Sequence, residues 1–399
     1  HVRVSAVLLG VILGIGALMR LLLVDTTPIL EDDYYRYLWD GAVSANGINP
    51  YSVVPADAPV SADATVTALA RESGVVIERV NHPKLTTVYP PVAQAAFTSA
   101  YLIKPWSLNA WRLVLLGFEA ATCVLLLLLL RAIGRPLHWV IIYWWNPLAV
   151  VMTVNAGHMD AVVLPFVIAA ALCAIKNRPV AMCVAGALAI GAKLWPIVIA
   201  PVLMRNLRGR PAQLGIALII GSAVVLAIGS PMYVTVDQGP DSGLAAYAGG
   251  WEMNDALFVL FVKAADGWLN DPAGAQTVAR VAVGAAVCLV VGLLSLNRAG
   301  GWAASMNRVT IALGVLFMLI PAQFPWYYIW VLPFLTLSPR ASLLSLSATL
   351  PLYYLKFWYA AQDSIAFFHS RVVWFEYAPC LVLAGIEALR SLLGKPEHA

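Results

Sequence analysis

The sequence predicts an all-α, polytopic transmembrane protein with a long first extracytoplasmic loop that holds interfacial helices. Three observations carry that reading. Of 399 residues, 61% are hydrophobic and only 12% are charged, whereas a soluble domain carries about 25% charged residues. The apolar residues fall into runs close to the roughly 20 residues of helix that cross a bilayer core. The charges also segregate by loop, basic on one side and acidic on the other. The net charge of +4 carries little weight beside that distribution.

In chain order, spans are expected near 5–24, 110–131, 138–154, 160–175, 177–191, 194–204, 212–233, 276–296, 306–322, 325–339, 341–356 and 373–391. That is about 12 crossings, in a range of 10–13, forming a single transmembrane domain over 1–399. The first run lacks a small-residue cleavage site, so it reads as a spanning helix and not a signal peptide. The chain starts at His1, and a short N-terminal piece is expected to precede it. The run 92–103 is short for a crossing and reads as an interfacial or re-entrant helix.

The connectors test the order of the spans. Five short ones carry Arg131 and Arg135; Lys176 and Arg178; Arg205, Arg208 and Arg210; Arg298 and Arg308; and Arg340, with no acid among them. The segment 25–109 carries Glu31, Asp32, Asp33, Asp40, Asp57, Asp63, Glu72 and Glu78. The segment 234–275 carries Asp237, Asp241, Glu252, Asp255, Asp266 and Asp271. Short cytoplasmic loops are rich in Lys and Arg, so the basic connectors and both termini go inside and the two acidic loops outside. Cys123, Cys173, Cys183, Cys288 and Cys380 all sit in apolar runs without a CxxC pair, and are expected to pack as small hydrophobes.

Ionisable groups near a membrane are costly and point to function. The first outer loop opens Glu31-Asp32-Asp33-Tyr34-Tyr35-Arg36-Tyr37-Leu38-Trp39-Asp40, three adjacent carboxylates followed by four aromatics in six positions. Tyr and Trp favour the membrane interface, so this stretch reads as a surface helix with its acids turned toward a cavity. Adjacent like charges push at least one carboxyl toward general-base behaviour. The same acids could instead hold a divalent metal, with Asp33 and Asp160 as the candidate pair. Spacing alone leaves both roles open.

Further candidates lie on the same side. Asn155-Ala156-Gly157-His158-Met159-Asp160 places a His and an Asp two apart at the outward end of a short helix. Lys193 falls at a break between two short apolar runs, where a lysine suits a lipid phosphate. Snorkelling to the interface is the plainer account of it. Asn81-His82-Pro83-Lys84, with Tyr89 before Pro90-Pro91, is a rigid stretch with basic groups at its start. Pro325-Trp326-Tyr327 opens a dense aromatic group that suits either sugar stacking or a membrane belt, and Glu252 is a candidate in the second outer loop.

Together these motifs resemble the GT-C class of integral-membrane glycosyltransferases. The signature runs Asp32-Asp33-Tyr34-Tyr35-Arg36-Tyr37-Leu38-Trp39-Asp40-Gly41, then Gly47-Ile48-Asn49-Pro50-Tyr51, then Thr87-Val88-Tyr89-Pro90-Pro91. It is similar to the bacterial polyprenyl-phosphate-mannose-dependent mannosyltransferases, and Asn155–Asp160, Lys193 and Pro325-Trp326-Tyr327 extend the likeness along most of the chain. The resemblance implies an inverting hexosyltransferase of a bacterial inner (plasma) membrane, with its active site extracytoplasmic. It implies a polyprenyl-phosphate-sugar donor, a glycolipid or glycan acceptor, and no nucleic-acid partner. Asp33 would be the base, with Asp32 as the alternative; the run Glu31-Asp32-Asp33 holds one acid more than many relatives show. Lys193, Arg36 and His158 would face the donor phosphate, and Asp160, His82, Lys84, Tyr89, Trp326, Tyr327 and Glu252 the substrates. No cofactor is required by the resemblance, and a magnesium or manganese ion stays open. A lipid-linked glycan ligase or polymerase should have an Arg- and His-led loop, and a transporter should have internal repeats with charges at the bilayer midplane; neither pattern is found here.

Overall fold

The computed structural model describes residues 5–235, 243, 249–297 and 299–393. The all-α expectation is met, for these residues form helices and turns with no strand, apart from a bridge between Met253 and Ala322. Asp237, Asp241 and Arg298, assigned above to loops, lie outside the described residues.

Five described helices are long and apolar enough to cross a membrane: Leu108–Ala132, Pro211–Val234, Pro272–Leu296, Trp302–Leu319 and Ile365–Leu392. A sixth candidate is the bent pair Leu137–Trp144 and Pro147–Asn155, which meet at 57°. Shorter apolar helices are Ala6–Leu21, Met159–Ile175, Pro179–Ala192 and Trp195–Leu207. The molecule is thus a multi-pass membrane protein. Prolines account for many of the differences from uninterrupted spans, since each removes a backbone donor and clashes with the preceding turn. Pro147 starts the second half of the bent pair, and Pro325 and Pro333 divide the run expected at 325–339 into 3-10 turns and a single helical turn. Pro351 likewise opens a 3-10 segment after Ala341–Thr349.

The chain divides into two compact units, residues 1–145 with 149–251 and residues 146–148 with 252–399. In the first, α1 (Ala6–Leu21) is followed by α2 (Asp33–Ala45), which starts at the acidic motif as expected but is not a surface helix: Tyr35 to Val43 are all buried, because its rings pack into the unit. Asp33 in its first turn complements the helix dipole, and Arg36 pairs with Asp40 one turn on, at 2.9 Å. The run expected at 92–103 is α3 (Pro91–Ile103), a 13-residue helix. It packs closely on α2, because a Cβ at Gly41 would lie 2.5 Å from the Phe97 carbonyl oxygen, so only glycine fits. Tyr37 stacks on Phe97 with ring centroids 4.8 Å apart and meets Trp111 of α4 (Leu108–Ala132) edge-on. The unit continues with α5 (Leu164–Ile175), α6 (Pro179–Ala192) and α7 (Pro211–Thr235).

A charge is buried within this unit. Arg20 of α1 donates to Glu119 of α4 at 2.8 and 2.5 Å and to the Trp144 carbonyl at 2.7 Å, and its guanidinium lies over the Trp144 ring. Tyr143 closes the network by donating to Glu119.

The second unit holds α8 (Phe258–Leu269), α9 (Pro272–Leu296), α10 (Trp302–Leu319), α11 (Ala341–Thr349) and α12 (Val373–Leu392). The segment before α8 is pinned from both sides: Met253 exchanges backbone bonds with Pro321 and Gln323, and Asn254 donates to Glu376 of α12 at 2.8 Å.

Candidate functional site

The start of α2 is where the polar groups converge. Asp33 stands in the first helical turn, and Asn81 donates to its Oδ1 at 2.5 Å. Its Oδ2 lies 3.5 Å from His158 Nδ1 and accepts from the Tyr37 hydroxyl at 3.4 Å. The other imidazole nitrogen, Nε2, lies 3.2 Å from Glu31. The buried His158 ring therefore lies between two carboxylates, an arrangement that favours the doubly protonated imidazolium. Lys193, at the C-cap of α6, pairs with the buried Asp160.

The electrostatics follow from this geometry. Burial works to lower the His158 pKa, but the Glu31 charge and the hydrogen bonds to Asp33 and Glu31 outweigh it and raise the group to about 9. Burial would raise Asp33, yet His158, Asn81 and Lys193 hold it below the ordinary carboxylate value. Asp32, at the exposed rim, is raised by partial burial and by the charges of Asp33 and Glu31. Burial lowers the Lys193 ammonium against the pull of Asp160 and Asp33. Asp33 is thus oriented by Asn81 and His158 and held toward its ionised form, with the charge of Lys193 acting in the same direction.

A pH prediction follows. The ordinary value of His158 is 6.5 and the folded value about 9, so the stability it contributes is complete below pH 6.5 and is lost as pH rises through 9. Thermal melting of the detergent-solubilised protein is expected to weaken over that window. In His158→Gln this component should be absent; a variant with the same slope as wild type would mean the imidazolium is not held as described.

Among the described residues, no three His, Cys, Asp or Glu side chains are disposed to hold a metal ion. Asp33 and Asp160, the candidate pair, are each engaged by a cation instead, His158 and Lys193. With both carboxylates already held by cations, this donor set does not fit a divalent ion.

The other candidates take different places. Arg36 turns to Asp40 and to the Leu85 carbonyl at 3.0 Å, so it braces the loop that carries Asn81 and His82. Gln94 of α3 extends that brace, donating to Thr87 at 3.0 Å and to Asp40 at 3.3 Å. Tyr89 packs edge-on to Tyr37, and its carbonyl accepts from Tyr51. His82 is exposed with its ring 4.8 Å from that of Trp251, and Lys84 is exposed two residues further on. Within the second unit, Glu252 accepts from Gln276 at 2.5 Å, Trp326 stacks on Phe324 and Tyr327 on Trp330. Both Trp326 and Tyr327 are buried. Two members of the cluster, Glu31 and Asn81, were not among the candidates read from the sequence. Each lay inside a motif that had been singled out, so composition marked the segment but not the residue.

The acids Glu31, Asp33 and Asp160 thus meet His158 and Lys193 beside short apolar helices of a multi-pass helical chain. Residues 16–208 match the family model described as alpha-(1->6)-mannopyranosyltransferase, N-terminal domain. The match bears out the likeness to GT-C-type membrane mannosyltransferases, supports mannosyl and hence hexosyl transfer, and spans every residue of the cluster. No curated protein and no solved structure matches the chain.

Proposed function

We propose that the protein is an inverting mannosyltransferase that uses a polyprenyl-phosphate-mannose donor at the extracytoplasmic face of a bacterial plasma membrane. The acceptor is a hydroxyl of a glycolipid or glycan, and the description of the matching domain favours a 6-hydroxyl. The observation that carries the reading is Asp33, kept ionised by His158 and Asn81 within electrostatic reach of Lys193. Its side chain is 21% exposed, whereas those of Glu31 and Asp160 are 6% and 1% exposed, so substrate can reach it. The acceptor oxygen forms its bond to the anomeric carbon as the bond from that carbon to the phosphate oxygen breaks. Asp33 takes the hydroxyl proton, and polyprenyl phosphate departs with the electron pair. Lys193 and His158 supply fixed positive charge where negative charge grows on the leaving phosphate.

Transfer of radiolabel from polyprenyl-phosphate-mannose to a mannoside acceptor, in detergent, tests this. Wild type should transfer, and Lys193→Ala should lose about 10²-fold in turnover, the usual effect of removing one oriented donor. Folded wild-type protein that moves no label from this donor would defeat the donor assignment. A Lys193→Ala variant at full rate would remove Lys193 from the phosphate site.

A further inference from the structure

We infer that Asn155 is a positioning residue, a clasp that sets the separation between the Glu31–Asp33 acids and His158. The inference rests on the proposed role of those groups and adds a residue that touches none of the reacting atoms. Asn155 is 3% exposed, and its side chain bonds entirely to the segment leading into the acidic motif. Its Oδ1 accepts from the Ile29 backbone N–H at 3.0 Å, and its Nδ2 donates to the Thr26 hydroxyl at 2.8 Å and to the Thr27 carbonyl at 2.9 Å. Arg112 of α4 doubles the clasp by donating to the Val24 carbonyl and to the Asn155 carbonyl, both at 2.5 Å. The two chain segments are thus tied together one turn upstream of the groups they deliver.

What lies between the clasp and the functional groups is a matched pair of left-handed bends. On the acidic side Leu30, next to the clasped Ile29, has φ 55°, and it swings Glu31 and Asp33 toward His158. A leucine in that region is strained and persists only where surrounding contacts over-determine it. On the histidine side Gly157 has φ 73°, and its carbonyl accepts from Trp111 Nε1 at 2.7 Å. Three bonds to the 26–29 segment can hold the Leu30 bend in place. Without them the acids can swing away from His158 while both helices stay folded.

The experiment compares Asn155→Ala, Thr26→Ala and Thr26→Ser in the same label-transfer assay, with Asp33→Asn alongside. Asn155→Ala is expected to lose about 10²-fold in kcat, the effect of a misplacement of about 1 Å. Its donor KM should stay within about twofold of wild type, because the lost contact is felt in the transition state. Thr26→Ala should lose less, and Thr26→Ser, which keeps the hydroxyl, should match wild type. If Asn155→Ala does not fold, the Thr26 pair decides on the same criterion. Asn155→Ala or Thr26→Ala at wild-type kcat, with Asp33→Asn inactive, overturns the clasp and leaves the base intact. An active Asp33→Asn overturns the reading on which the clasp rests. A loss in which kcat only tracks a reduced folded fraction shows a structural role and also overturns the clasp.

Discussion

Replacing Asp33 by asparagine is expected to cut mannosyl transfer by about 10²–10⁴-fold, the span that general-base catalysis supplies. Asparagine has nearly the same shape, so Asn81 can still meet its Oδ1 and α2 can still start at the same residue. What is lost is the site that receives the acceptor's proton and the charge that faces His158 across 3.5 Å. The donor KM should move little, because Lys193 stays paired with Asp160 and keeps its position. Asp32→Asn is the control. Its carboxyl stands at the exposed rim, 3.4 Å from Asn81, and its loss should leave turnover on the order of wild type. The raised pKa of Asp32 makes it chemically the stronger base, so position and basicity point to different residues. Asp33 is the carboxyl fixed in place by Asn81 and His158, and a base acts only within hydrogen-bond reach of the proton it takes. A large loss in Asp32→Asn with an active Asp33→Asn would reverse the assignment.

The sequence was legible wherever one local rule sufficed. The long apolar runs became the helices Leu108–Ala132, Pro211–Val234 and Pro272–Leu296, because uninterrupted hydropathy is itself the physical requirement for spanning. At the acidic, aromatic motif the helix α2 was readable but its setting was not, since the rings of Tyr35, Tyr37 and Trp39 are buried and not interfacial. Glu31 was harder to assign. Its role is defined by His158, 127 positions away (158 − 31), through a contact that no periodicity encodes. Asn81, in a bend, and Asn155, at the end of the helix Pro147–Asn155, were invisible as individuals, because an asparagine usually bonds nearby backbone and here each bonds to a distant segment. The runs at 325–339 and 341–356 lost helical continuity at prolines whose effect hydropathy does not register.

Arg20 gives the clearest stability test of how this membrane unit tolerates charge. The single-site change Arg20→Met is expected to destabilise the protein by about 3–5 kcal/mol, the cost of leaving one member of a buried pair without its partner. Both side chains are sealed, at 1% and 0% exposed, so water cannot replace the missing guanidinium. The Trp144 carbonyl, at the end of the helix before the 57° bend, also loses the donor that satisfies it. Neighbouring contacts magnify the effect. A Cβ at Gly16 would lie 2.1 Å from the Trp144 ring, so α1 and that ring are already in direct contact and cannot close over a void. The double change Arg20→Met with Glu119→Gln removes the orphaned charge and should recover most of the loss, since a buried ion pair contributes little against an apolar replacement of similar volume. Unfolding midpoints in detergent for the wild type, both single variants and the double variant would measure the coupling. A double variant no more stable than Arg20→Met alone would mean that the Trp144 carbonyl and ring contacts, and not the Glu119 charge, set the cost.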